Sequence, residues 1–520
     1  MLARVLTFAI DGVSPRPVWV EVDIRAGLPA FTIVGLGDTA VRESRDRIRA
    51  AILNSGFGFP AARITANLAP AFLRKAGPGF DAALALALLA AAGQVPAAGL
   101  DGYAVFGELS LGGELRDSPG ALAVAEGARR AGCEQLIVPR ERGLEAALVD
   151  GLGIVAVADL RSAAAVLAGA APPPLPVPGP RAPLGPPGPD LRDVRGHAAP
   201  RLALEIAAAG AHNLLMEGPP GTGKTMLARR LPSILPELTR TEAIEVTRIH
   251  SIAGRHSGPL VTARPFRAPH HTISAAGLAG GGNPPRPGEA TLAHLGVLFL
   301  DELSEFARPS LDALRGPLED GSVSIVRSQR ALRFPTRFML VAATNPCPCG
   351  FAGVDDERCG CGEAELRRHR RRMSGPLLDR MDLVVDVHRP EADALRAGEG
   401  ENSQAVRDRV LAARERQARR LAATGLRANG EMDAGIAQRL AGLDAGAEAE
   451  LSRAYARGLL SARGRHRVLR VARTIADLAG GERIGAGHVL TALSLRERSG
   501  PSAGARAGAG IGVGVGVGVG

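Results

Sequence analysis

Lysine is nearly missing from this chain. Of its 63 Lys and Arg residues, only Lys75 and Lys224 are lysine, so a compact ammonium on a flexible stem is available at two positions and a planar guanidinium everywhere else. Long apolar runs are missing too. None approaches the roughly 18 residues that a membrane-spanning helix needs, and the longest candidate, residues 82–92, follows Asp81 and reads as a buried helix. No apolar signal core follows Met1-Leu2-Ala3-Arg4. The expectation is a soluble, cytoplasmic protein with no membrane partner. Cysteine is limited to five residues. The formal net charge of +10 favours an acidic partner, nucleic acid first, although an arginine-rich composition can drift basic without such a partner.

At 520 residues the chain is long enough for about two to four domains. Residues 171–190 are rich in Pro, Gly and Ala, a composition that favours an extended spacer over helix or central strand. Before this linker, residues 1–170 alternate β-type runs, such as Val18-Trp19-Val20-Glu21-Val22 and Phe31-Thr32-Ile33-Val34, with helical stretches over 40–53 and 82–92. Residues 191–395 alternate strands and helices again, and 396–500 read as successive helices. The Gly-Val repeats of 501–520 read as a disordered tail.

Lys224 stands in Gly218-Pro219-Pro220-Gly221-Thr222-Gly223-Lys224-Thr225, between a strand expected over 213–217 and a helix expected from Met226. In that strand-loop-helix setting the loop N–H groups cradle phosphates, Lys224 reaches the β- and γ-phosphates of ATP, and Thr225 places its hydroxyl on Mg²⁺. Downstream, Gly296-Val297-Leu298-Phe299-Leu300 is an apolar strand ending at Asp301 and Glu302. Asp301 is expected to hold Mg²⁺ through water and Glu302 to polarise the attacking water. A third strand, 338–343, ends near Asn345, placed to sense the γ-phosphate, or alternatively to make a turn before Pro346. Arg380, between Leu377-Leu378 and the run that starts at Leu383, suits an arginine finger for a neighbouring subunit's ATP, which would require a ring.

These motifs, with Arg264-Pro265-Phe266-Arg267-Ala268-Pro269-His270-His271, Asn283-Pro284, Gly288-Glu289, Asn345-Pro346-Cys347-Pro348-Cys349-Gly350 and the segment from His466 to Leu478, resemble the YifB/ComM family in the Mg-chelatase-like branch of AAA+ ATPases. The resemblance implies an α/β fold: a P-loop AAA+ module with a helical lid, plus an N-terminal Lon-protease-like α/β domain. It implies Arg467 as the sensor-2 arginine of the lid, with Arg470 as the competing choice, and it implies a hexameric ATPase acting on DNA as a helicase. Residues 263–283 resemble the family's helix-2 insert and 322–338 its presensor hairpin, both facing a ring pore. Arg327, Arg330 and Arg333 of that hairpin would track phosphates in single-stranded or branched DNA, or else simply protect an edge strand. The run Arg367-Arg368-His369-Arg370-Arg371-Arg372 would touch DNA, a neighbouring subunit or only water, and His270 and His271 read as structural or pore-facing.

Cys347, Cys349, Cys359 and Cys361 supply four sulfurs on one loop, the number a structural Zn²⁺ takes; free thiols or a disulfide are the alternatives, and Cys133 reads as core. In the Lon-like region, proteolysis would need a serine and a lysine. The serine position aligns with Gly79 and the lysine position with Leu122, so the resemblance implies a fold without the protease's chemistry. Three functions follow: a DNA-translocating ring ATPase promoting branch migration during natural transformation, a motor driving Mg²⁺ into a porphyrin, or a partner-binding scaffold.

Overall fold

The computed structural model describes residues 1–35, 39–73, 75, 77, 79–175, 188–256, 258–282, 285–327, 330–353, 358–373, 375–396 and 400–496. Most of the Pro-rich tract (176–187), Asn283-Pro284, Ser374, the side chains of Arg327 and Arg330, and the Gly-Val tail lie outside the described residues.

The N-terminal part is built on a seven-stranded mixed sheet in the order Ala30–Val34, Arg63–Ala69, Ser14–Arg25, Leu2–Asp11, Tyr103–Val105, Gln135–Pro139, Gly153–Val157. Val18, Val20 and Val22 alternate into the core, as a period of two residues requires. The helix Asp81–Ala91 is buried along its whole length, which explains why its alanines and leucines show no polar face.

A second sheet has five parallel strands in the order Phe266–Arg267, Val297–Leu300, Met339–Thr344, Leu214–Glu217, Leu383–Asp386. Val297–Leu300 and Met339–Thr344 are buried at every residue, as strands covered on both faces must be. The chain's first strand of this sheet, Leu214–Glu217, lies between two later ones, so the loops leaving the carboxyl ends converge on a crevice there. Phe266–Arg267 forms the edge of this sheet, and the short helix Ala275–Ala279 and the ribbon Gly280–Gly281/Arg286–Pro287 follow it in the chain. The hairpin Ser322–Arg327/Arg330–Pro335 forms as expected, with Val326 exposed near its tip.

The C-terminal residues form helices Ser403–Leu421, Ala434–Leu440, Ala445–Ala456, Ala462–Leu478 and Ala486–Ser494. Side chains of Asn402, Asp433, Asp444 and Ser461 each accept a backbone N–H in the first turn of the helix they precede. A buried polar network fastens these helices to the sheet. His212 lies 3.4 Å from Asp382 and 2.8 Å from Thr474, and Arg470 donates to Asp382 at 2.7 Å. Burial pushes the Asp382 carboxyl up, but the Arg470 guanidinium and His212 outweigh it and hold it at about 2. The N-terminal part is joined to the loop after the helix Arg240–Ile252 by Arg142, which donates to the His256 carbonyl at 2.8 Å while pairing with Glu145 at 2.7 Å. Among the described residues no helix is long and apolar enough to cross a membrane.

Candidate nucleotide site

The phosphate loop leaves the strand Leu214–Glu217 and turns into the helix Lys224–Ala228, two residues earlier than the sequence suggested. Gly223 sits at φ 90°, a left-handed conformation that admits glycine without strain. Lys224 Nζ is buried and donates to the carbonyls of Gly218 at 2.6 Å and Pro219 at 2.8 Å and to Asn345 Oδ1 at 3.1 Å. Burial lowers the Lys224 pKa, against the opposing charges of Asp301, Glu217 and Glu302. Thr222 Oγ1 donates to the Pro219 carbonyl at 2.9 Å and stiffens the loop.

Thr225 Oγ1 donates to Asp301 Oδ2 at 2.6 Å. This hydroxyl and carboxylate are hard oxygen donors side by side, a set that suits Mg²⁺. Glu302 follows at φ 52° and ψ 51°, a conformation disfavoured for a non-glycine residue and characteristic of functional sites. Its side chain is largely exposed, with Oε2 3.5 Å from His271 Nδ1. His271 stacks on His270 at 4.1 Å between ring centroids and meets the edge of Phe306. The pair sits on a loop beside the Glu302 carboxylate. The only signal in the sequence was the His-His doublet itself.

Other motif residues turn out to hold the scaffold. Arg267 forms a two-pronged ion pair with Glu289, at 2.6 and 2.9 Å, and Arg264 donates to the carbonyls of Pro236 and Leu295. Within the basic run on the helix Glu363–Arg372, His369 is buried, with Nε2 2.9 Å from the Asn345 carbonyl, so that residue supports Asn345 and does not face water.

Two arginines stand in a group of their own. Arg380 pairs with Glu319 and sits close enough to Arg315, Arg467 and Arg463 that burial and their charges lower its pKa. Arg467 is half-buried near Asp382, Asp379 and Arg463. Arg470 is occupied by Asp382 and by the carbonyls of Gly430 and Met432, which leaves Arg467 the better placed of the two for a ligand. The four clustered cysteines converge beside Asn345, within 4.8 Å of one another. Cys133 is half-buried against an apolar cluster.

The two positions that the Lon resemblance assigns to a protease dyad are tightly packed. A β-carbon on Gly79 would stand 2.6 Å from the Phe106 ring, and Leu122 is fully buried.

Family models for "Subunit ChlI of Mg-chelatase", "Magnesium chelatase, subunit ChlI" and "Magnesium chelatase, subunit ChlI C-terminal" match residues 20–142, 190–395 and 400–496. The chain is 45% identical over 505 residues to an uncharacterized protein of Mycobacterium tuberculosis, covering 95% of this chain and 99% of the relative. It is 43% identical over 500 residues to the uncharacterized protein YifB of Escherichia coli, covering 95% and 97%. To the competence protein ComM of Haemophilus influenzae it is 41% identical over 506 residues, again covering 95% and 97%. With a phosphate loop on a parallel sheet and likeness along nearly its whole length, the chain belongs to the YifB/ComM family of Mg-chelatase-like AAA+ ATPases.

Proposed function

We infer that this protein is a ring-forming ATPase that moves on single-stranded or branched DNA, a helicase promoting branch migration during integration of transforming DNA. The observation that carries the reading is the assembled hydrolysis site: Lys224 bound to Asn345, Thr225 bound to Asp301, and Glu302 at the adjoining strand end. ATP would sit with its β- and γ-phosphates on the loop and Lys224, and Mg²⁺ on Thr225 and Asp301. That ion would neutralise developing phosphate charge. Glu302 would orient and polarise the attacking water, with His271 steadying the carboxylate, and Asn345 would read the γ-phosphate. Arg380 and Arg467, grouped together, would be presented jointly to a neighbouring subunit's nucleotide, Arg380 exchanging Glu319 for phosphate.

Three facts favour DNA as the track. The net charge is +10, Arg333 is exposed on the hairpin, and a relative matched over 95% of this chain is named a competence protein. The chelatase reading draws on the names of the family models, and the scaffold reading is disfavoured by a complete set of hydrolysis groups. Unwinding of forked and three-stranded DNA by the purified protein separates them. ATP-dependent strand displacement that Glu302→Gln reduces by about 10²- to 10⁴-fold is expected. Absence of displacement, together with hydrolysis that responds to porphyrin and not to DNA, would replace the helicase with the chelatase.

A further inference from the structure

The cysteine cluster has the spacing of a metal site. Cys347 Sγ lies 3.2 Å from Cys349 Sγ and 3.9 Å from Cys359 Sγ, and Cys349 and Cys359 are 3.6 Å apart. A tetrahedral Zn²⁺ with bonds of about 2.3 Å holds its sulfurs roughly 3.8 Å apart, so one ion fits with small adjustments. The backbone also folds around one of the sulfurs: the N–H groups of Gly350 and Ala352 donate to Cys347 Sγ at 3.2 and 3.3 Å. Soft sulfur ligands select Zn²⁺ over Mg²⁺, which separates this cluster from the oxygen donors at Thr225 and Asp301.

Its position gives the cluster a consequence. Cys347 follows Asn345 by two residues, and Asn345 is held on both sides: its amide oxygen accepts from Lys224 and its carbonyl lies 2.9 Å from His369 Nε2. The same loop packs on the phosphate loop so closely that a β-carbon on Gly350 would stand 2.4 Å from Pro220 Cδ. Between the strand Met339–Thr344 and the helix Glu363–Arg372 the described residues carry no helix or strand, so backbone ladders do not fix this segment.

We propose that Cys347, Cys349, Cys359 and Cys361 bind one Zn²⁺ that clamps the loop carrying Asn345 against Lys224 and the phosphate loop, making the cluster a positioning site for ATP hydrolysis. Thiol protons leave to solvent as the thiolates bind, and no redox step is involved. The proposal rests on the reading of Asn345 as the γ-phosphate sensor.

Metal analysis of the full chain is expected to find about one zinc per molecule, and cobalt exchange to give the absorption of a tetrahedral four-thiolate site. Cys359→Ser should lose the ion. Because that variant can also disturb folding, the unmutated protein is stripped with a chelator and reloaded. Stripping should lower kcat for ATP on the order of 10- to 100-fold, with KM changing far less, and zinc but not Mg²⁺ should restore it. A chain that holds neither zinc nor cobalt overturns the site. Zinc that can be removed with kcat unchanged overturns the clamp. Hydrolysis that ignores DNA would count against the helicase reading while leaving zinc content and its effect on kcat untouched.

Discussion

Lys75 and Lys224 are both buried, and both donate to backbone carbonyls, Lys75 to Pro70 and Lys224 to Gly218 and Pro219. Their surroundings differ in kind. Around Lys224 stand the amide of Asn345 and the carboxylates of Glu217, Asp301 and Glu302, all at the ends of parallel strands. In the N-terminal part, the positions that the Lon resemblance assigns to a nucleophile and base hold a glycine with no room for a β-carbon beside Phe106 and a buried leucine. One α/β sheet gathers charged and polar groups at its strand ends; in the other, those two places are taken up by packing, and a fold can persist without a reaction.

The sharpest way to break this comparison is to exchange the two lysines' fates. Lys224→Ala should reduce ATP hydrolysis on the order of 10⁴-fold, whereas Lys75→Met should leave the rate per folded molecule unchanged, as read in a steady-state phosphate-release assay. Comparable losses from both variants would erase the distinction. Next in size, Arg380→Ala should cost on the order of 10³-fold, and mixing it with Lys224→Ala subunits should recover part of the rate, because the proposed finger and the phosphate loop would come from different chains. Mixtures that stay inactive at every ratio would count against a shared site.

On the N-terminal side, the double variant Gly79→Ser, Leu122→Lys should cleave no peptide and should lower stability by about 1–3 kcal/mol, measured by denaturant unfolding, since a side chain at 79 must displace Phe106. Recovered proteolysis would show that the pocket is open after all. A similar effect is expected from Asp382→Asn. The Asp382 carboxyl is held at about 2 in the folded chain, below its ordinary value of 3.8, so its stabilisation is present above about pH 4 and is lost as pH falls from there towards 2. The variant should lose about 2 kcal/mol at neutral pH and show a flatter acid limb in thermal melts between pH 4 and 2.

The phosphate loop and the Asp301-Glu302 strand end were legible in the sequence because each is a run of consecutive residues whose local geometry and chemistry coincide. So was the buried helix at Asp81–Ala91, whose composition leaves it no polar face. What stayed hidden depends on contacts across long stretches of chain. His271 meets Glu302 from a loop with no periodicity to announce it, and His369 reaches Asn345 from within a run of arginines expected to touch DNA, a neighbouring subunit or only water. His212 joins Asp382 and Thr474 over 170 and 262 residues. The edge strand Phe266–Arg267 is two residues long, too short for any alternation to show. Such features arise when the sheet is assembled, and the local chain does not encode them.

The account turns on a hydrolysis site that works for movement on DNA, and the most direct test is the rate of ATP hydrolysis at low salt with and without forked DNA. The account predicts a rate that rises with added DNA, falls back as salt screens the phosphates, and vanishes in Lys224→Ala. An unmutated rate that is the same with and without DNA would contradict it.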